Sequence, residues 1–272
     1  MILDSLDHLE TRAEKVLAYP EEWDDPKSDV RVAVLLQKAR DDHNAHLVPV
    51  DVKSVVGKPS ADDKPTWTET FVKLLVFNQT GYDRVISLDS DAAVLKNMDE
   101  LFLLPRATVA MPRAYWLKEK PGFLTSIVVV AEPSRREWAR VKQAIKQHKP
   151  NDFDMEILNS LYNSTALVLP HRTYGLLTQA LRKNDVDERT AYLGNPEEGW
   201  NARKVMDEAK FVHFSDWPLP KPWVKAGLTL LEQHGPKCDN KANCDGKDVW
   251  SELRDDFVER RVRVCGEEWR PR

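Results

Sequence analysis

Glycine is scarce in this sequence, at 10 of 272 residues, about half the usual ~7%. No two glycines stand as G-x-G, which excludes the glycine-rich dinucleotide turn and the Walker phosphate loop. Any nucleotide must be held another way. Long apolar runs are missing too. The longest are stretches such as Ile127 to Ala131, far short of the ~20 residues that a membrane span needs. Met1 to Glu10 lacks the basic and continuous apolar regions of a signal peptide. Neither sign of charge dominates: 40 basic and 44 acidic residues give a net charge of −4. Without a basic excess the chain does not read as a nucleic-acid binder. Cysteine is limited to Cys238, Cys244 and Cys265, and the absence of C-x-x-C argues against zinc. The three leave room for one disulfide and one free thiol in an oxidising lumen. Asn78-Gln79-Thr80 and Asn163-Ser164-Thr165 are N-x-[ST] sequons, a weak pointer in the same direction.

Hydrophobic residues make up 42% of the chain and charged residues 31%, enough for a sizeable core. The length suits one large domain or two small ones. Apolar spacing predicts helices over 1–12, 29–39, 66–78, 133–148, 154–161, 174–182 and 248–264. Thr66 and Glu69 are spaced as a capping box at the start of the third helix. Strands are expected over 15–19, 47–52, 84–88, 107–111, 124–131, 166–169 and 211–214. Strands alternating with helices imply an α/β fold with one mostly parallel sheet flanked by helices. Residues 215–223 hold three prolines and two tryptophans and read as an ordered loop. We expect one domain over 1–235 and a cysteine-containing extension with a helix over 236–272.

Asp89-Ser90-Asp91 directly follows the strand 84–88. Two carboxylates at i and i+2 of a strand end converge on one cation if the backbone turns there, and hard oxygen ligands suit Mg²⁺ or Mn²⁺. The bland alternative is that both acids cap the next helix. His213 ends a strand among apolar neighbours, where a satisfied structural histidine is the ordinary case. Lys221, held between Pro220 and Pro222 with Trp217 and Trp223 nearby, reads as a positioned cation suited to a pyrophosphate, or else as part of a packing loop. Lys73 shares a helix face with Phe77 and lies either near the sheet edge or in solvent. Asp152, Asp154 and Glu156 favour a helix N-terminus, and any of them could reach a sugar hydroxyl.

Three segments together carry a family resemblance. They are Thr70-Phe71-Val72-Lys73-Leu74, then Tyr82 to Asp91, then Val94 to Phe102. With Phe211-Val212-His213-Phe214-Ser215 and Lys221-Pro222-Trp223 they resemble the family 8, glycogenin-like glycosyltransferases. The Asp216-Trp217-Pro218-Leu219-Pro220 insertion and the cysteine-containing tail resemble a fungal branch that includes Golgi N-acetylglucosaminyltransferases. The resemblance implies a GT-A fold, a UDP-sugar donor (UDP-GlcNAc first, UDP-glucose or UDP-galactose close behind), Mn²⁺ or Mg²⁺, a glycan or protein acceptor, and a Golgi lumen setting. It implies metal ligation by Asp89, Asp91 and His213. Lys221 would meet the donor diphosphate, Lys73 the donor phosphate and sugar, and Asp154 the donor sugar as the catalytic-face aspartate.

Three departures from the family pattern stand out. Met155 replaces the glutamine of D-Q-x-x-L-N, so no amide role carries over there. Leu124-Thr125-Ser126 replaces N-[AS]-G, leaving Ser126 as the polar residue toward the sugar. The chain also begins at what resembles the family's first helix, so the first strand and its uridine-holding loop are expected to lie outside it. Family membership implies retention of anomeric configuration, by front-face attack or through a covalent intermediate, and Met155 tilts the reading to the former. A catalytically silent, metal- or sugar-binding homologue is the competing reading. A nucleotidyltransferase or sugar pyrophosphorylase is disfavoured by the lack of a glycine-rich N-terminal signature.

Overall fold

A computed structural model describes residues 1–25, 29–52, 69–149, 152–239 and 243–267. In chain order its elements are α1 (Ile2–His8), β1 (Lys15–Pro20), α2 (Val30–Asp41), β2 (Ala45–Val50), β3 (Val85–Leu88), β4 (Ala92–Val94), β5 (Val109–Pro112), β6 (Val128–Ala131), α3 (Arg135–Lys146) and α4 (Asp154–Tyr162). There follow β7 (Leu167–Leu169), α5 (His171–Tyr174), β8 (Leu176–Leu177), α6 (Thr178–Arg182), α7 (Val186–Leu193), α8 (Ala202–Glu208), β9 (Phe211–His213), α9 (Leu228–His234) and α10 (Asp245–Cys265). Asp29, Ser134, Asp185 and Asn201 cap α2, α3, α7 and α8 by accepting a backbone N–H, which satisfies donors that the first helical turn leaves open.

The α/β class stands, but the strands do not form one mostly parallel sheet. Among the described residues the strands form three sheets, ordered β1-β2, β3-β6-β5-β7 and β4-β9-β8. In the central sheet β6 runs against both β3 and β5, and only β5 and β7 pair in parallel. The cause is local. Residues 113–127 join β5 to β6 without a helix, and Arg113 bridges Leu124 in antiparallel fashion. A connection of that kind returns the chain as a hairpin, whereas a parallel pair needs a crossover. In the third sheet β4 is antiparallel to β9, and β8 is parallel to it.

Alternation along β5 and β6 buries the central sheet on both faces. Ala110, Val128 and Val130 join a core with β4, β8, β9 and the end of α10. Val109, Met111, Val129 and Ala131 join another with Phe71, Leu74, Phe77, α3 and α4. Helix α10 buries Val249, Trp250, Leu253 and Phe257, one stripe at helical spacing. Among the described residues no helix is long and apolar enough to cross a membrane.

Other expectations needed revision. The segment Glu69–Asn78 is a 3₁₀ helix. Its β-branched and aromatic residues, among them Thr70, Phe71, Val72 and Phe77, are weak α formers. The expected cap Thr66 lies outside the described residues. The helix expected over 174–182 divides at Gly175, because Leu176 and Leu177 are drawn into pairing with β9. The strand expected over 124–131 begins only at Val128. Strand β4 and helices α7, α8 and α9 were not foreseen.

Candidate functional site

Strand register explains how residues far apart in sequence meet. Ala92 pairs with His213 in the β4–β9 ladder, and the Phe214 N–H donates to the Asp91 carbonyl at 3.0 Å. Asp91 and His213 therefore sit side by side at one end of that ladder, despite a separation of 122 positions. The Asp89 N–H donates to the Ile127 carbonyl at 3.1 Å, extending the β3–β6 pairing by one residue. Asp89 is thus fixed against the segment that carries Ser126.

The side chains converge. His213 Nε2 lies 3.0 Å from Asp91 Oδ1 and 3.7 Å from Asp89 Oδ2. Potential ligand atoms of Asp89, Asp91 and His213 all lie within 4.8 Å of one another. Lys221 Nζ donates to Asp91 Oδ2 at 2.6 Å and also to the Phe214 carbonyl. On the other flank Lys73 Nζ lies 2.5 Å from Asp89 Oδ1, 3.0 Å from Asp154 Oδ2 and 3.4 Å from Ser126 Oγ. The seven residues to which the resemblance assigns site roles, Asp89, Asp91, His213, Lys221, Lys73, Asp154 and Ser126, lie in this one cluster.

Burial sets the electrostatics. It raises the Asp89 pKa above the ordinary carboxylate range, despite the pull of Lys73 and His213. Asp91 is also desolvated, but hydrogen bonds and charge from His213 and Lys221 outweigh burial and hold its pKa well below that range. Burial works against the Lys73 ammonium, yet the Asp89 and Asp154 carboxylates prevail and raise its pKa. The centre places two lysines beside three acidic side chains. Its donor set, hard carboxylate oxygens with one imidazole, fits Mn²⁺ or Mg²⁺. Among the described residues His213 Nδ1 is buried without a hydrogen-bond partner. No group fixes the ring's tautomer from that side, and Nε2 is open to act toward Asp91 or toward a cation.

Asp154 stands at the first position of α4 and is 5% exposed. Its Oδ2 has an ion-pair contact with Lys73 but no aligned hydrogen bond, leaving a buried acceptor for an incoming donor. Asp152 and Glu156 do not join the cluster. Asp152 accepts from the Lys149 N–H, and Glu156 accepts from the Phe153 N–H. Both line a groove of about 1090 Å³ between α3 and α4. The convergent charges lie outside that hollow.

Two residues received no role in the sequence reading, although Asn159 is the asparagine matched to D-Q-x-x-L-N and Asp216 opens the Asp216–Pro220 insertion. Asn159 clamps Leu124 by donating to its carbonyl and accepting from its N–H, both at 2.8 Å, and so steadies the segment that leads to Ser126. Asp216 accepts from Thr178 Oγ1 at 2.7 Å, and from Arg182 Nε and Trp250 Nε1 at 3.1 Å each. Arg254 stands 3.5 Å away and also donates to the Pro220 carbonyl. The loop between His213 and Lys221, which includes a cis Trp217–Pro218 bond, is thereby fastened to α6 and α10. An aspartate amid aromatic and proline residues was the available signal, but its partners lie at least 34 positions away.

The chain is 44% identical to glucose N-acetyltransferase 1 of Gibberella zeae, over 99% of this chain and 61% of that protein. It is 43% identical to glucose N-acetyltransferase 1 of Aspergillus fumigatus, over 97% of this chain and 72% of that protein. It thus spans about three fifths of the length of the first relative. No family model matches the chain. Among solved structures, the apo WbbM bifunctional glycosyltransferase aligns with a TM-score of 0.63 at 15% identity, over 98% of this chain and 46% of that one. The galactosyltransferase LgtC, in complex with donor and acceptor sugar analogues, aligns with a TM-score of 0.56 at 14% identity, over 94% of this chain and 90% of that one. At such identities the likeness establishes the fold, which is the GT-A fold of glycosyltransferases.

Proposed function

The chain belongs to the family of the fungal glucose N-acetyltransferase 1 proteins, and on that premise we propose that it moves a sugar from a UDP-sugar donor to a glycan or protein acceptor, with retention of configuration. The donor we favour is UDP-GlcNAc. The observation that carries this reading is the convergence of Asp89, Asp91 and His213 within 4.8 Å, with Lys221 and Lys73 on either flank. An acyl transfer from a thioester would call instead for a base and an oxyanion pocket. Carboxylates, an imidazole and two ammonium groups suit the departure of a diphosphate.

Asp89, Asp91 and His213 would hold Mn²⁺ or Mg²⁺, which when bound supplies charge neutralisation to the leaving diphosphate. Lys221 is tethered by the Phe214 carbonyl as well as by Asp91, so its charge stays beside the site for a phosphate oxygen. Lys73 links Asp89 to Asp154, and so couples the phosphate end to the sugar end. Asp154 would accept from a donor-sugar hydroxyl, and Ser126 would complete the polar wall. Met155 offers no nucleophile, which favours front-face attack. Residues 1–235 form the transferase domain in this reading, and 236–272 an extension. The Cys238–Cys244 disulfide supports a lumenal setting such as the Golgi.

The test is titration calorimetry of UDP with Mn²⁺ and with EDTA, followed by assay of UDP release from UDP-GlcNAc, UDP-glucose and UDP-galactose. Metal-dependent UDP binding and preferential release from UDP-GlcNAc are expected. Equal binding in EDTA would remove the carboxylates from any bridging role. Absence of release from every donor would favour the silent homologue.

A further inference from the structure

Both sequons are exposed but differ in how the asparagine amide is held, and we propose that Asn78 is an acceptor for an N-linked oligosaccharide whereas Asn163 is not. Asn78 is the last residue of the 3₁₀ segment Glu69–Asn78. It is exposed, as is Thr80 two residues on. Its amide makes no hydrogen bond among the described residues. The Thr80 N–H donates to the Asn78 carbonyl at 2.8 Å, so the chain turns tightly and brings the threonine back toward the asparagine. Room is available beyond the turn, because a Cβ added at Gly81 would meet nothing within 4 Å. Lys73 lies five residues earlier, roughly 10 Å along the axis of a 3₁₀ helix. A glycan at the outer end is therefore compatible with the inward contacts of Lys73.

Asn163 is held differently. Both hydrogens of its amide are engaged, one to the Gly122 carbonyl at 3.0 Å and the other to Asn159 Oδ1 at 2.9 Å. The Thr165 hydroxyl donates to the Tyr162 carbonyl at 3.3 Å. A glycan on Nδ2 would break at least one bond of a network that reaches through Asn159 to Leu124. The Cys238–Cys244 disulfide is an independent sign of passage through an oxidising compartment, the setting in which sequons are modified. In the transfer, the Asn78 Nδ2–C1 bond forms as the C1–O bond of a lipid-diphosphate oligosaccharide breaks. The lipid diphosphate leaves with the electron pair, and the amide gives up one proton. The inference goes beyond the proposed activity and does not depend on it.

The chain is to be secreted from a fungal host behind a cleavable leader, then treated with peptide N-glycosidase in heavy-oxygen water and mapped by peptide mass. A heavy-aspartate tag at position 78, with position 163 untagged, is expected in the unmutated protein. Asn78→Gln and Thr80→Ala should each lose the one-glycan mobility shift, Thr80→Ser should keep it, and Asn163→Gln should not alter it. Secreted protein without a tag at 78, or tagged equally at 163, overturns the proposal.

Discussion

Two acidic centres lie at the end of β9, and they are paired in opposite ways. Asp216, 4% exposed, faces two guanidinium groups, a hydroxyl and an indole N–H. Three hydrogen bonds and the nearby Arg254 guanidinium satisfy the carboxylate from within the protein. At Asp89, Asp91 and Asp154 the balance is reversed. Three acidic side chains share two lysines, and among the described residues a histidine nitrogen stays unpartnered. A fully satisfied buried acid is a fastening, whereas an undersupplied cluster is a place for an added cation. The two centres bracket one loop, so the first holds still what the second uses.

The largest effect should come from breaking the fastening. Asp216→Ala leaves Arg182 and Arg254 buried without their acid, and loss of one partner from such a group costs about 3–5 kcal/mol. Urea unfolding should register a loss of that order. A loss below about 1 kcal/mol would mean that the hub contributes no more than a surface pair.

The opposite signature is predicted for Asp91→Asn. Mn²⁺-dependent UDP binding and UDP release should fall by about 100- to 1000-fold, in the range seen when one charge-stabilising group is removed from a reacting centre. Stability should fall by less than in Asp216→Ala, since Lys221 keeps its bond to the Phe214 carbonyl and the asparagine can still accept a hydrogen bond. If unfolding shows Asp91→Asn as damaging as Asp216→Ala, the distinction between the two centres collapses.

What was legible in the sequence follows the same division. Asp89 and Asp91 stood out by their spacing after a strand and Lys221 by its proline-flanked setting, whereas the site roles of His213, Lys73, Asp154 and Ser126 were implied by the family resemblance. The fastening was not, since Asp216 meets Thr178, Arg182 and Trp250 only through tertiary packing. The α/β class was readable from alternating apolar patterns. Strand direction was not, because it hangs on the turn between Arg113 and Leu124, where no periodic signal exists. The short strand β4, three buried residues directly after Asp91, was hidden for a related reason. Ala92-Ala93-Val94 is too brief for a period to declare itself, yet its pairing with β9 brings Asp91 to His213.

A smaller perturbation separates the hub's parts. Trp250→Phe keeps an aromatic ring but removes the indole N–H to Asp216 together with part of the buried ring volume. The expected cost is about 1–3 kcal/mol, one hydrogen bond plus a small cavity, because Thr178 and Arg182 still satisfy the carboxylate. A urea midpoint as low as that of Asp216→Ala would instead make the indole bond, and not the guanidinium pairing, the principal tie between the loop and α10.

The smallest effect concerns a histidine that belongs to the fastening side of the comparison. His171 Nε2 donates to the Tyr192 carbonyl at 2.7 Å, and its ring stacks on Tyr115 with centroids 5.3 Å apart. Burial, aided by Arg172 and Arg113, depresses its pKa below the ordinary 6.5, although the Tyr192 carbonyl favours the protonated ring. The folded chain therefore keeps the ring neutral where the unfolded chain takes up a proton. The unfolded state binds more protons in that window, so this contribution is complete above pH 6.5 and is lost as pH falls through the folded value. In His171→Gln the pH dependence over about pH 5 to 8 should be flatter, while UDP binding with Mn²⁺ at neutral pH should be unchanged. Urea midpoints of the two proteins measured across that range should diverge only toward acid, the parent losing more. Parallel midpoint curves would show that His171 titrates alike in both states, and a loss of UDP affinity in the variant would move this histidine to the ligand-binding side.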